Sequence, residues 1–153
     1  MTIEVYGEND MKTLGAKLGA LLKGGEVIEL VGDVGAGKTT LTKGIAQGMQ
    51  IDEDVQSPSF TISRVYDAPS GLILAHYDFY RLADAGIMAN ELHETVNDKN
   101  TVTIIEWAEI ISGILPKNHL TITISNNATN ESARHVVLRG SGDKAAALLK
   151  ELI

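Results

Sequence analysis

The amino-acid sequence predicts an α/β fold in which helices cover a mixed, partly antiparallel central sheet. Short apolar segments, which are typical of buried strands, alternate along the chain with segments in which apolar residues recur every three or four positions, which are typical of helices. Two segments in the middle of the chain flank a turn that contains proline and glycine, which predicts a hairpin. Strands that alternate with helices, with antiparallel additions, indicate a sheet between layers of helices.

The first third of the chain contains two strand–helix pairs. Alternation of apolar and polar residues predicts the first strand, and a short apolar run that is partly β-branched predicts the second, buried strand. Asn9 or Asp10 is expected to cap the first helix, and Gly24-Gly25 to end it. We predict strands at residues 3–5 and 27–31, and helices at residues 11–22 and 38–49.

The rest of the chain contains the hairpin, three helical segments and three further strands. Pro116 is expected to stop the middle helical segment, and clean alternation predicts the last two strands. We predict hairpin strands at 60–66 and 72–77, helices at 84–96, 110–115 and 143–153, a buried strand at 102–105, and strands at 120–124 and 135–139.

Length and composition restrict the class of protein. A chain of 153 residues has the size of one domain, so we expect a single domain spanning residues 1–153. The net charge of −7 argues against a stand-alone nucleic-acid binder, because phosphate neutralisation supplies most of such affinity. The chain has no cysteine, no basic start followed by an apolar run, and no apolar stretch of the ~20 residues that a membrane helix needs. We therefore expect a soluble, cytoplasmic protein without membrane association.

One segment carries a specific chemical signal. Residues 32–39, GDVGAGKT, match the phosphate-binding loop pattern G-x-x-x-x-G-K-[ST], and they lie between a predicted strand and a predicted helix as that loop requires. Glycines allow backbone N–H groups to turn inward around an anion, and the helix presents its positive N-terminus to phosphate. Lys38 is then expected to reach the β- and γ-phosphates of a nucleotide, and the Thr39 hydroxyl to ligate Mg²⁺. The pattern predicts a three-layer sandwich like that of P-loop NTPases.

Two carboxylates follow predicted strands. Asp78 comes after the strand at 72–77, and Glu106 after the strand at 102–105. Ligands of open α/β sheets bind beyond the carboxyl ends of strands, so either residue is a candidate for the metal side of the site, directly or through water, with the other positioning the attacking water. His76 lies on the same strand face as Asp78, but a single histidine is more often structural, and we predict no catalytic role for it.

The type of nucleotide enzyme is narrowed by what the chain lacks. A GTPase needs the guanine-reading motif N-K-x-D, which is absent. Small-molecule kinases generally carry an arginine-bearing lid, and four arginines in the whole chain make such a lid hard to build. None of the four has a sequence context that identifies a transition-state finger. A compact ATPase remains.

Four segments together resemble a known family. They are Gly32-Asp33-Val34-Gly35-Ala36-Gly37-Lys38-Thr39-Thr40-Leu41, Ser57-Pro58-Ser59-Phe60-Thr61, His76-Tyr77-Asp78-Phe79-Tyr80-Arg81-Leu82 and Ile105-Glu106-Trp107. Their order and spacing resemble those of the bacterial threonylcarbamoyladenosine-synthesis ATPase family, TsaE (formerly YjeE), and the resemblance runs along essentially the whole chain. Ser59 stands where the family usually has threonine, which retains the hydroxyl.

The resemblance implies a small ATPase that uses ATP/ADP and Mg²⁺ and supports the tRNA modification beside the anticodon. Family members dock on the heterodimer of the threonylcarbamoyl transferase and its paralogous partner, and ATP hydrolysis resets this complex between cycles. They contact tRNA only indirectly, through the complex. The motif match implies these roles: Lys38, Asp78 and Glu106 catalytic; Gly35, Ala36, Gly37, Lys38, Thr39 and Thr40 on the phosphates; Thr39 and Glu106 on Mg²⁺, with Asp78 on the metal or its water; and Thr13 and Arg134 near the nucleotide.

Two other functions remain open from the sequence. One is a nucleotide-dependent assembly module in which hydrolysis is incidental, and the other is a small-molecule kinase that transfers phosphate to a metabolite. Lys38, Thr39 and two strand-end carboxylates favour hydrolysis.

Overall fold

The computed structural model describes residues 1–58, 61–82, 86–108, 113 and 115–153. Seven strands and four helices lie within these residues. They are β1 (Thr2–Tyr6), α1 (Gly7–Leu21), β2 (Val27–Val31), α2 (Lys38–Gly48), β3 (Ser63–Asp67), β4 (Ile73–Asp78), α3 (Gly86–Val96), β5 (Thr101–Glu106), β6 (His119–Asn126), β7 (Ala133–Ser141) and α4 (Asp143–Leu152). Within the described part of the chain, no helix is both long enough and apolar enough to cross a membrane.

The seven strands form one mixed sheet in the order β1-β7-β6-β2-β5-β4-β3. The central strand β2 is parallel to β5 and β6, and β4 is parallel to β5. The pairs β1–β7, β6–β7 and β3–β4 are antiparallel. The predicted mixed sheet and the hairpin are therefore confirmed. Because β2, β4 and β5 run in the same direction, their carboxyl ends lie at one edge of the sheet.

Helices cover both faces of the sheet. The larger hydrophobic cluster joins buried residues of α1, α2 and α4 to one face, including Leu18, Ile45 and Leu148. The smaller cluster joins Leu92 and Val96 of α3 to the opposite face, where Tyr77 of β4 and Ile105 of β5 lie. This arrangement confirms the predicted layers of helix, sheet and helix.

Helices α1 and α2 pack with their backbones in direct contact. A Cβ atom added to Gly15 would lie 2.5 Å from the carbonyl oxygen of Leu41 and 2.8 Å from the Cα atom of Gly44. Such distances leave no room for a side chain, so only glycine permits this approach. The contact holds α2, and with it the loop that precedes α2, firmly against α1.

The first helix begins earlier than the sequence predicts. Helix α1 starts at Gly7, and Tyr6 takes the capping position without a side-chain bond. Asp10, predicted as a cap, instead lies in the first turn, and its Oδ2 accepts a hydrogen bond from the backbone N–H of Tyr6 at 3.1 Å. The predicted cap was wrong because this carboxylate reaches back to the start of the helix from inside it.

The third strand begins later than predicted. Thr61 and Ile62 belong to a turn in which both backbone N–H groups donate to the carbonyl oxygen of Pro58, and Ile62 has a φ of 69°. An extended strand cannot include that conformation, so β3 starts at Ser63. Parts of three predicted elements, at residue 60, at residues 84–85, and at residues 110–112 with 114, lie outside the described residues.

Candidate functional site

A glycine-rich loop at residues 32–37 connects β2 to α2. Gly35 and Gly37 have φ values of 83° and 117°, a left-handed conformation that favours glycine. Gly37 precedes the first residue of α2, and no side chain caps this helix start. The first backbone N–H groups of a helix have no partner within the helix and carry the positive end of its dipole. The loop and the start of α2 therefore form a site suited to an anion.

Lys38 is buried at the start of α2. Its side chain is only 7% exposed. The Nζ atom donates a hydrogen bond to the carbonyl oxygen of Gly32 at 2.7 Å and lies 3.6 Å from Oε1 of Glu106. The same atom lies 4.7 Å from the centroid of the Trp107 ring. The positive charge is thus held inside the loop, between a carboxylate and the face of an aromatic ring.

Two buried carboxylates lie at the ends of neighbouring parallel strands. Asp78 is the last residue of β4 and Glu106 the last residue of β5, and the two are register partners. Oδ1 of Asp78 accepts a hydrogen bond from the backbone N–H of Tyr80 at 3.0 Å. Oε2 of Glu106 lies 2.6 Å from Nε2 of His76. The prediction that both carboxylates lie at strand ends is confirmed, although each residue belongs to its strand rather than following it.

A cavity of about 430 Å³ brings most of the predicted site residues together. Its wall consists of Val34, Gly35, Gly37, Lys38, Thr39, Thr40, Ser57, Asp78, Tyr80, Arg81, Glu106 and Trp107. Of the residues expected on the phosphates, Ala36 does not line this cavity. Its side chain is buried in the core.

Two residues that the resemblance implied near the nucleotide do not line this cavity. Thr13 lies on the exposed side of α1, where its hydroxyl donates to the carbonyl oxygen of Asn9 at 2.9 Å. Arg134 lies on β7, and its Nη1 donates to the carbonyl oxygens of Glu131 and Ala133 at 2.6 and 2.9 Å. Because neither residue lines the cavity, the structure does not support a nucleotide contact for either of them, and both roles stay predictions.

Five wall residues were not assigned to the site from the sequence. They are Val34, Ser57, Tyr80, Arg81 and Trp107. Each is a neighbour of a predicted residue or lies within a quoted motif, which is the signal that was available. The Tyr80 and Trp107 rings contact each other with centroids 4.9 Å apart, and Trp107 has a φ of 60°. A left-handed conformation at a tryptophan is unfavourable, and it places the ring over Lys38.

The side chains in the cavity offer oxygen atoms of the kind that Mg²⁺ prefers. These are the hydroxyl of Thr39 and the carboxylates of Asp78 and Glu106. Among the residues that the structure describes, no three histidine, aspartate or glutamate side chains form a metal cage. Mg²⁺ is usually held by one or two carboxylates together with phosphate oxygens and waters, so this sparse donor set fits it.

Comparisons with known proteins agree on one family. The family model described as "Threonylcarbamoyl adenosine biosynthesis protein TsaE" matches residues 5–136. Among curated proteins, the tRNA threonylcarbamoyladenosine biosynthesis protein TsaE of Bacillus subtilis is 36% identical over 143 residues, which cover 94% of this chain and 87% of that protein. The protein of the same name from Streptomyces coelicolor is 35% identical over 139 residues, or 89% of this chain and 94% of that protein. The crystal structure of Bacillus subtilis YdiB is similar with a TM-score of 0.81 and 31% identity, and the match covers 99% of this chain and 93% of that one. The chain belongs to the TsaE family.

Proposed function

We propose that the chain is a cytoplasmic, Mg²⁺-dependent ATPase that supports threonylcarbamoyladenosine modification of tRNA. In this role it docks on the threonylcarbamoyl transferase and its paralogous partner and resets that complex through ATP hydrolysis. One observation carries the proposal: Lys38, Thr39, Asp78 and Glu106 line a single cavity behind a glycine-rich loop. Membership of the TsaE family, whose curated members are named for this tRNA modification, supplies the biological setting.

The loop and Lys38 are proposed to bind the phosphates of ATP. Uncapped N–H groups at the start of α2 provide hydrogen-bond donors for phosphate oxygens. Nζ of Lys38 lies at the inner side of the loop, where a short movement away from the Gly32 carbonyl oxygen would bring its charge to the β- and γ-phosphates. The face of Trp107 limits where the lysine can move, because the ring already contacts it.

Thr39 and Glu106 are proposed to hold Mg²⁺. The Thr39 hydroxyl follows Lys38 at the first turn of α2, and Glu106 presents a carboxylate from the end of β5. When bound, Mg²⁺ would supply positive charge that stabilises the negative charge developing on the phosphate. Lys38 and His76 hold the Glu106 carboxylate in place at the cavity wall before the metal arrives.

Asp78 is proposed to orient the water that attacks the γ-phosphate. Its carboxylate is fixed by the backbone N–H of Tyr80 and lies beside Glu106 at the edge of the sheet. A carboxylate at this point can accept a hydrogen bond from water and later take up its proton. Asp78 is buried, so the neighbouring residues limit competition from bulk solvent.

The cavity mouth supports the proposal that a partner acts on this site. Val34 and Tyr80 line the cavity and are 74% and 52% exposed, so this part of the wall presents apolar surface to solvent. Arg81 is the one arginine among the described cavity residues, and it lies on the exposed side of the wall. A docked partner can cover the apolar rim and add or orient a positive group. In phosphate-loop enzymes such a group is worth about 10³–10⁵ in rate.

The test is steady-state ATP hydrolysis by the pure chain, with and without the transferase and its paralogous partner. We expect slow turnover alone and a large increase with the partners. Tight ATP binding with no turnover under either condition would favour an assembly module. Loss of the γ-phosphate to an added metabolite rather than to water would favour a kinase. Fast turnover that the partners leave unchanged would contradict partner activation.

A further inference from the structure

His76 contacts the carboxylate that the proposed function assigns to the metal. Its Nε2 atom lies 2.6 Å from Oε2 of Glu106. A carboxylate accepts hydrogen bonds, so we assign the donor role in this contact to Nε2–H of the imidazole. Charge-assisted bonds of this length are among the stronger ones in proteins.

The burial of His76 indicates that packing alone does not account for the residue. The side chain is fully buried, and Nδ1 has no hydrogen-bond partner among the described residues. A buried polar atom without a partner lowers stability, and an apolar side chain of similar size would avoid this loss. The imidazole makes its polar contact with Glu106, so the interaction with that carboxylate, rather than packing in the core, accounts for a histidine at this position.

Glu106 has a second partner that is needed elsewhere. Oε1 of Glu106 lies 3.6 Å from Nζ of Lys38, whereas Oε2 belongs to His76. If Nζ of Lys38 moves to nucleotide phosphates, its ion pair with Oε1 weakens, and the contact between His76 and Oε2 is left to orient the carboxylate. The histidine contact comes from the neighbouring strand β4, whose backbone is fixed by its pairing with β5. The contact between His76 and Glu106 therefore does not depend on the position of Lys38.

We propose that His76 is a positioning residue that keeps the Glu106 carboxylate oriented toward the cavity once Lys38 has turned to the phosphates. The proposal rests on the function proposed above. It assigns His76 no contact with the nucleotide, since the imidazole is not part of the cavity wall. Removal of groups that orient a metal ligand typically costs about 10–100-fold in metal affinity or activity.

Two polar variants separate positioning from a structural role. His76→Gln places an amide nitrogen near the place of Nε2 and can still donate to Glu106. In His76→Asn the amide lies closer to the strand, near the place of Nδ1, and its nitrogen cannot reach Glu106. Both bury an amide, so both share the cost of a polar group in the core. Thr103→Val is the matched control, because it removes another fully buried polar side chain whose hydroxyl has no partner among the described residues.

The readout is calorimetric titration with ADP, once with Mg²⁺ and once with EDTA. We expect His76→Asn to reduce the gain in affinity that Mg²⁺ provides by about 10–100-fold. Affinity in EDTA should stay at the wild-type value, because phosphate contacts do not involve Glu106. His76→Gln should restore most of the gain, and Thr103→Val should not change it. Equal Mg²⁺ gains in wild type, His76→Asn and His76→Gln would overturn the proposal.

A double variant tests whether His76 acts through Glu106. Adding His76→Asn to Glu106→Gln should reduce the Mg²⁺ gain no further than Glu106→Gln alone, because the carboxylate is already lost. Additive losses would overturn the proposal. Failure of the proposed function gives a different result: wild type itself would then show no nucleotide binding or no effect of Mg²⁺. Thermal melts identify any variant that does not fold.

Nitrogen NMR of the His76 imidazole tests the contact without a substitution at residue 76. Its Nε2 signal should change in Glu106→Gln, and an unchanged signal would overturn the contact.

Discussion

Nζ of Lys38 lies 3.6 Å from Oε1 of Glu106, and both side chains are buried. The lysine of the loop and the glutamate of β5 therefore compensate each other's charge before any nucleotide binds. A lysine that served only phosphate would leave the fold unaffected when removed. The ion pair implies instead that substitutions at either position change stability as well as binding.

The first prediction concerns the stability of this pair. Lys38→Ala leaves a buried carboxylate that only His76 still contacts among the described residues, so we expect the free energy of unfolding to fall by about 3 kcal/mol. Adding Glu106→Gln should recover part of this loss, because no uncompensated charge remains. Urea denaturation measures both effects, with Lys43→Ala on the same helix as control. Equal stability of wild type and Lys38→Ala would show that the pair contributes nothing.

The second prediction concerns the hydroxyl of Thr39. Thr39→Ala should weaken nucleotide binding in Mg²⁺ but not in EDTA, because the hydroxyl is proposed to ligate the metal and not the phosphates. Thr39→Ser keeps the hydroxyl and should bind like wild type. Calorimetry under the two conditions checks this. A loss of the same size in EDTA would remove Thr39 from the metal.

The third prediction concerns Asp78. Asp78→Ala should lose the turnover that the transferase pair stimulates while keeping most ATP affinity, since the carboxylate is proposed to orient water rather than to bind phosphate. Steady-state hydrolysis and calorimetry on the same preparations separate the two effects. Asp67→Ala, an exposed aspartate at the end of β3, serves as control. Wild-type stimulated turnover in Asp78→Ala would exclude a catalytic role.

The fourth prediction concerns alkaline stability. Burial raises the pKa of the Tyr77 hydroxyl above its ordinary value near 10, more than its hydrogen bond with Thr95 lowers it. The folded protein thus holds this proton more tightly than the unfolded chain. The stabilisation is complete below the unfolded pKa and is lost as pH rises through the folded pKa.

Tyr77→Phe should therefore flatten the fall in unfolding free energy above about pH 10. At neutral pH it should cost about 0.5–1.5 kcal/mol for the lost hydrogen bond. Urea denaturation of wild type and variant over this range isolates the tyrosine from other groups that titrate there. Parallel curves in the alkaline range would contradict the shift.

The residues at the centre of the cavity could be predicted from the sequence, because local rules bring them together. A glycine-rich loop between a buried strand and a helix specifies the backbone around Lys38, and parallel strands bring Asp78 and Glu106 to one edge. Strand direction alone does not determine the register, which in this sheet makes the two carboxylates direct neighbours.

The rest of the site depends on tertiary contacts that no local pattern contains. Tyr80 and Trp107 lie many positions apart in the chain, and their ring contact depends on the left-handed conformation of Trp107. The sequence around Arg81 does not distinguish it from the other arginines, whereas the structure places it on the cavity wall, near the ends of β4 and β5. His76 was expected to be structural, and its contact with Glu106 crosses between strands.

The most direct test of the central claim is calorimetric titration of wild type and Lys38→Ala with ATP in the presence of Mg²⁺. Lys43→Ala is the control, and a thermal melt confirms that each variant is folded at the temperature used. We predict saturable binding by wild type and by Lys43→Ala, and loss of most of the affinity in Lys38→Ala, because the loop then lacks the charge that is proposed to face the phosphates. Undiminished ATP binding by folded Lys38→Ala would contradict the assignment of this loop to the nucleotide.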